Sequence, residues 1–97
     1  MALLLPAMEA RRTEDRDLAL QLFIASQQRK LDVPALTVTN RRGEIIAGAG
    51  EIEEGTSQWV ATWQLRAGGE WLVVSSWGGK LSYDIGNGIR RILSASS

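Results

Sequence analysis

Few residues of this chain could perform chemistry. The sequence contains no histidine and no cysteine, so it lacks the commonest general base and any thiolate metal site. A Ser-His-Asp triad is excluded for the same reason. The composition therefore predicts a protein that is not an enzyme, with no catalytic residue, no metal site and no cofactor.

The remaining candidates for chemistry lie in a connector at positions 48–58, which has the sequence GAGEIEEGTSQ. Its carboxylates, Glu51, Glu53 and Glu54, are of the type that performs acid–base catalysis or binds Ca²⁺. A glycine-rich connector, however, would leave these carboxylates in water. Its glycines also fit neither the G-x-G-x-x-G pattern nor the P-loop pattern. We therefore interpret this segment as a solvated loop.

The composition is that of a small domain without a strong charge. The chain has 97 residues, and its 11 basic and 11 acidic residues give a formal net charge of zero. Nucleic-acid-binding domains normally carry an excess of Lys and Arg, so no nucleic-acid partner is expected. The arginine pairs at 11–12, 41–42 and 90–91 are interpreted as solvated ends and turns.

The N-terminus begins with a short apolar run that is interrupted by Pro6. The run is too short for a membrane span or for the apolar part of a signal peptide. These features predict a loose tail at 1–12, a single domain at 13–97, no membrane span and a cytoplasmic location.

The elements that organise the chain are clearest between Trp59 and Trp77, where all four tryptophans lie. Apolar side chains alternate there with period two, which is typical of half-buried strands. Gly68 and Gly69 supply the positive φ angles of a two-residue hairpin turn, and this turn places Leu65 opposite Leu72. The apolar face predicted for this hairpin comprises Trp59, Ala61, Trp63, Leu65, Leu72, Val74 and Ser76.

A second hairpin is predicted around the turn Asn40–Gly43, in which Asn at the first position and Gly at the fourth are typical of a type I turn. We expect Thr39 to lie opposite Glu44. That register would place Ile45 on the apolar face and Ile46 on the opposite, mixed face.

Two helices complete the prediction. One begins after Thr13 and ends near Lys30, and the other covers 81–93, where apolar residues recur at helical spacing. Gly86 and Gly88 weaken the second helix, which indicates close packing on the first helix or the sheet. The predicted fold class is α+β, with a central antiparallel sheet of about four strands in the order 2-1-4-3. The N-terminal and C-terminal helices pack on one face of this sheet.

The mixed face is the predicted partner-binding surface, formed by Trp71, Trp77, Val73, Val60 and Ile46. One buried tryptophan removes about 150–250 Å² from water, so two exposed tryptophans would be a large loss for a small domain. Two interpretations remain open. Either these side chains meet another chain, or they are ordinary half-covered residues.

The segment Leu31–Gly50, with the sequence LDVPALTVTNRRGEIIAGAG, resembles the first hairpin of roadblock domains, and the order of elements around it is also similar. Roadblock domains belong with longin-like and profilin-like folds. The resemblance implies a non-catalytic homodimer that scaffolds or regulates a small Ras-like GTPase, or that binds another roadblock-like protein. This chain has the connector at 48–58 where the family has a helix, and it has four predicted strands where the family has five.

Two other classes of function remain. The first is a degenerate sensor domain, similar to GAF or profilin-like domains, that binds a small molecule. The second is a structural subunit of a larger complex. A ligand-dependent shift in tryptophan fluorescence would favour the sensor, and poor dimerisation without GTPase binding would favour the subunit.

Overall fold

The computed structural model describes residues 4–52 and 59–95, with the side chains of 15–52 and 59–94. Four antiparallel strands form one sheet in the order β2-β1-β4-β3, with one helix before them and one after. This arrangement confirms the predicted α+β fold class and strand order. The elements are α1 (Leu4–Leu31), β1 (Ala35–Asn40), β2 (Ile45–Gly50), β3 (Val60–Ala67), β4 (Glu70–Trp77) and α2 (Tyr83–Ala95).

The β3–β4 hairpin has the predicted register. Gly68 and Gly69 have φ angles of 60° and 80°, as expected for a two-residue turn whose twist matches that of the flanking strands. Leu65 pairs with Leu72. The sequence of the turn therefore determines which face each side chain of both strands occupies.

The β1–β2 hairpin has a different register from the predicted one. The Gly43 N–H donates to the Asn40 carbonyl at 3.0 Å, and neither Arg41 nor Arg42 has a positive φ, as in the predicted type I turn. The Asn40 N–H, however, donates to the Glu44 carbonyl at 2.9 Å. Asn40, not Thr39, therefore lies opposite Glu44, and that part of the prediction is wrong. The observed loop has three residues, one fewer than predicted. The Asn40 side chain stabilises it, because its Oδ1 accepts hydrogen bonds from the N–H groups of Arg42 and Glu44.

A β-bulge follows this loop. Thr39 pairs with Ile45 and Val38 pairs with Ala47, so Ile46 is the extra residue on β2. A bulge places two residues of one strand opposite one residue of the other and interrupts the alternation of side chains. The pairing of Ile45 with Thr39 puts Ile45 on the face predicted for Ile46, and the bulge then returns Ala47 to its predicted place in the core. The faces predicted for the two isoleucines are therefore wrong.

Helix α1 begins at Leu4, not after Thr13 as predicted. Pro6 is compatible with this start because it lies in the first turn, where the backbone N–H groups have no partner within the helix. The helix ends at Leu31, close to the predicted Lys30, and Asp32 leaves it with a φ of 54°. The division into a tail at 1–12 and a domain at 13–97 stays a prediction.

The core lies between the helices and one face of the sheet, as predicted. Residues of both helices and of the inner strands are almost inaccessible to solvent there. The glycines of α2 differ in their surroundings: Gly88 lies directly against the Phe23 ring of α1, whereas the space beside Gly86 is open. The most deeply buried apolar residues are Leu20, Ile24, Leu36, Val38, Leu72, Val74, Ile85 and Ile89.

Strand β2 is an edge strand, and α1 satisfies part of its backbone. The Gln21 side chain donates from Nε2 to the Gly48 carbonyl at 2.5 Å and accepts at Oε1 from the Gly48 N–H at 3.0 Å. The amide thus bonds β2 as a neighbouring strand would, which protects the edge from pairing with another chain. In the sequence, Gln21 is distinguished only as the one polar residue between positions 18 and 25.

Replacing Gln21 with alanine is expected to destabilise the domain by about 1–3 kcal/mol, because both half-buried Gly48 groups lose their partner. The free energy of unfolding in urea would measure the effect. The control is Gln64→Thr, since Gln64 is exposed on β3, and it should change stability by no more than about 0.5 kcal/mol. Equal stability of Gln21→Ala and the wild type would contradict a role for this contact.

Candidate partner-binding surface

The sheet has one face that neither helix covers. Along β4, Leu72, Val74 and Ser76 are fully buried on the helix side. The side chains between them point to the opposite side and are exposed or half-buried. We call this opposite side the open face. Its side chains include Thr37, Thr39, Ile45, Val60, Thr62, Gln64, Arg66, Trp71, Val73, Ser75 and Trp77.

Four of the five predicted site residues lie on the open face, but they do not form one cluster. Val60 pairs directly with Trp77. Trp71 lies six residues before Trp77 on the same strand, a distance of about 20 Å. Val73 is half-buried between them. The open face therefore has one aromatic residue near each end.

Ile46, the fifth predicted residue, does not belong to this surface. It is half-buried and packs against the core cluster. Ile45 is 67% exposed. It lies on the open face beside Thr37, since the Cγ2 atoms of both residues border the space that a Gly48 side chain would occupy. The register set by the three-residue loop exchanges the two isoleucines, so Ile45 replaces Ile46 in the candidate surface.

Trp59 is also placed differently from the prediction, which assigned it to the apolar face. It precedes β3 and is 80% exposed. Its carbonyl accepts a hydrogen bond from the Gly78 N–H at 2.8 Å, and its indole lies beside Gly79. The period-two pattern ends at Val60, because Trp59 is outside the strand and its side chain is not directed by the pleat.

The end of the open face nearest the two hairpin turns is rich in arginine. A cavity of about 470 Å³ lies there. Trp71 is 52% exposed. The guanidinium carbon of Arg66 lies 6.0 Å from the centroid of the Trp71 ring, within the range of a cation–π contact. The cavity is lined by Asn40, Arg41, Arg42, Arg66, Gly69, Glu70 and Trp71.

A second aromatic site lies near the start of α2. The rings of Trp63 and Tyr83 are edge to face with centroids 5.4 Å apart, and Tyr83 is 80% exposed. A cavity of about 530 Å³ beside this pair is lined by Thr62, Trp63, Leu81, Ser82 and Tyr83. Tyr83 is absent from the predicted site because it precedes the apolar residues of its helix, where no periodicity marks it.

Of the three connector carboxylates, only Glu51 lies within the described residues, and its side chain is exposed. Glu53 and Glu54 lie outside the described residues. Among the side chains that the structure describes, those of residues 15–52 and 59–94, no three His, Cys, Asp or Glu are grouped so that they could hold a metal ion. Neither of the two helices described is long and apolar enough to cross a membrane.

Comparison with known proteins does not assign the chain to a family. No protein-family model, no curated protein and no solved structure gives a significant match. The open face, with the cavity beside Trp71, and the cavity beside Trp63 and Tyr83 are therefore the features from which a function can be argued.

Proposed function

We propose that this chain is a non-catalytic protein-interaction module that binds a partner protein through its open face. The observation that carries the proposal is the exposure of Ile45, Val60 and Trp71 on a sheet face that neither helix covers. Continuous apolar area on an exposed surface typically marks an interaction site. Thr39 pairs with both Ile45 and Val73, which brings Ile45 into one row with Val73, next to Trp71 on β4. Tryptophan is also one of the residue types that contribute most to binding energy at protein interfaces.

The proposed partners are a second copy of this chain and a small Ras-like GTPase or another roadblock-like protein. The resemblance of Leu31–Gly50 to roadblock domains motivates these partners, and the order of two helices around an antiparallel sheet is compatible with it. A partner on the open face would bury the apolar area that Trp71 and Ile45 expose. The proposed location is the cytoplasm, where such GTPases act.

Replacing Trp71 with serine is expected to weaken association about thirtyfold or more, the usual effect of losing a tryptophan that contributes strongly to an interface. The fold should persist because Trp71 is more than half exposed. Light scattering across a range of concentrations would measure the mass of the wild type and the variant, alone and with candidate small GTPases. Trp77 is a poorer target because it is half-buried, so its replacement would also change stability.

The control is Tyr83→Ser, which removes an equally prominent aromatic side chain that lies outside the open face. This variant should associate like the wild type. A wild-type chain that stays monomeric at every concentration and ignores every GTPase would overturn the proposed function. Equal loss of association in both variants would show that the open face is not the binding surface.

A small-molecule sensor is the second candidate, and the cavity beside Trp63 and Tyr83 favours it. Its volume of about 530 Å³ falls within the range of roughly 300–1,000 Å³ that is usual for small-molecule sites. A ligand bound there would contact Trp63. It would raise the melting temperature and change the tryptophan fluorescence, and Trp63→Phe would abolish the fluorescence change.

A further inference from the structure

The arginine-rich end of the open face has more positive charge than its own carboxylates neutralise. The Nε of Arg42 lies 3.2 Å from a carboxylate oxygen of Glu44, so this pair is satisfied. Within the part of the chain that the structure describes, neither Arg41 nor Arg66 forms an ion pair. Glu70 is the one carboxylate among the residues that line the cavity. Two guanidinium groups without an ion-pair partner therefore face one carboxylate.

The fold brings these groups together from different parts of the chain. Arg41 lies in the β1–β2 turn, whereas Arg66 and Trp71 pair across the β3–β4 hairpin. The pairing of Asn40 with Leu72 places the two hairpin turns side by side. A guanidinium that lies near an aromatic ring keeps its N–H donors free at the edge, and these donors suit the two oxygens of a carboxylate.

We infer that this cavity binds an acidic segment of a partner protein, with its carboxylates on Arg41 and Arg66 and an apolar side chain against Trp71. The inference rests on the proposed function and specifies the chemistry of the partner. The cavity continues into the apolar part of the open face through Val73, which follows Trp71 on the same side of β4. An extended segment that leaves the cavity along this line would cover apolar surface.

A polyphosphate ligand fits the cavity less well. Glu70 lines the site and would repel a group of high charge density. Neither helix directs its N-terminus into the cavity, because α1 and α2 pack on the other side of the sheet, so the dipole that commonly holds phosphate is missing. A peptide can place its carboxylates on the arginines and keep them away from Glu70.

The test uses the full chain and a fluorescein-labelled peptide of six glutamates around a central phenylalanine, with binding followed by fluorescence anisotropy. The wild type is expected to bind the peptide, and added salt should weaken the binding because exposed charges are screened. The charge-reversed variant Arg41→Glu/Arg66→Glu should bind about tenfold more weakly or worse. The same peptide with glutamine in place of every glutamate should not bind.

The control variant Lys30→Glu/Lys80→Glu has the same net charge change. Both lysines are exposed and lie near the opposite end of the sheet, where Gly78 contacts Val33 and Pro34. This variant should bind the peptide within about twofold of the wild type. Thermal melts of all variants would establish that each one is folded.

The outcomes separate this inference from the proposed function. Binding that Trp71→Ser abolishes but Arg41→Glu/Arg66→Glu does not would overturn the inference and leave the interaction module in place. Equal loss in the arginine and lysine variants, or displacement of the peptide by a lower concentration of inorganic triphosphate than of free peptide, would also overturn it. A wild type that binds neither the peptide, nor itself, nor a GTPase would contradict both.

Discussion

Replacing Gly50 with alanine is expected to cost more than about 3 kcal/mol, a large part of the roughly 5–15 kcal/mol by which native proteins are stable. Gly50 has a φ of 90°, a conformation that side chains other than glycine rarely adopt. A Cβ at this position would lie 2.0 Å from the Pro34 carbonyl oxygen and 2.8 Å from the Ala35 Cα. These are backbone atoms, so a change of rotamer cannot relieve the overlap.

The overlap lies where β2 ends beside the start of β1. The Glu51 N–H donates to the same Pro34 carbonyl at 3.0 Å, so moving this carbonyl away from a new methyl group would also break the last hydrogen bond of the hairpin. Urea unfolding, followed by circular dichroism and by tryptophan fluorescence, would measure the change. A shift of the transition to much lower urea, or loss of the transition altogether, is expected.

Gly43→Ala is the matched control. Gly43 has a similar φ of 84°, but no heavy atom lies within 4 Å of the position that its Cβ would occupy. This variant retains the backbone strain without the overlap and should cost about 1–2 kcal/mol. If both variants lost the same stability, the close approach of Pro34 would be irrelevant, and backbone strain alone would explain the requirement for glycine at position 50.

The two hairpins show which parts of the fold were predictable from the sequence. Gly68-Gly69 permits a tight two-residue turn, and this turn sets the register of every pair between β3 and β4. The Asn40 turn permits more than one loop length, because the asparagine side chain bonds the N–H groups of both Arg42 and Glu44. The turn residues alone therefore do not determine the loop length, and the loop length decides which face each residue at the start of β2 occupies.

The start of α1 could not be predicted because more than one position in the sequence is compatible with a helix start. Thr13, followed by Glu14 and Asp15, has the features of an N-cap and an acidic first turn, but the residues before it include good helix formers such as alanine, methionine and arginine. Pro6 is tolerated near the helix start. An internal Thr therefore resembles a cap in sequence while the helix begins at Leu4.

The candidate surface was predictable only as a face. Period two correctly assigned Val60, Val73, Trp71 and Trp77 to one side of the sheet. It failed for Ile46, because alternation alone does not show that Asn40, and not Thr39, lies opposite Glu44. The arginine cavity depends on the pairing of β1 with β4, which places the turn that carries Arg41 beside the other hairpin. That pairing joins residues more than 30 positions apart, so local patterns do not show the cluster of arginines.

Replacing Gly88 with alanine is the second substitution with a large expected effect. A Cβ at Gly88 would lie 2.0 Å from Cζ and 2.5 Å from Cε2 of the Phe23 ring, so the ring occupies the space that a side chain would need. Alanine would gain about 1 kcal/mol in helix propensity, but the ring must turn away or the helices must separate. Overpacking of this kind typically costs about 1–3 kcal/mol and sometimes more.

The net effect of Gly88→Ala should be a lower melting temperature, by about 4–8 °C for each kcal/mol lost in a domain of this size. Gly86→Ala provides the control on the same helix. No heavy atom lies within 4 Å of the position of its Cβ, so this variant should gain about 1 kcal/mol from helix propensity. Two identical substitutions separated by two residues are therefore expected to have opposite signs.

A double-mutant cycle would show whether the Phe23 ring is the cause. Phe23→Leu removes the ring atoms that lie over Gly88, so Gly88→Ala should destabilise this background less than it destabilises the wild type. An unchanged penalty would mean that the methyl group meets something other than the ring, and that the helices do not approach each other as the structure has them. A reduced penalty would establish that α1 and α2 pack together because position 88 has no side chain.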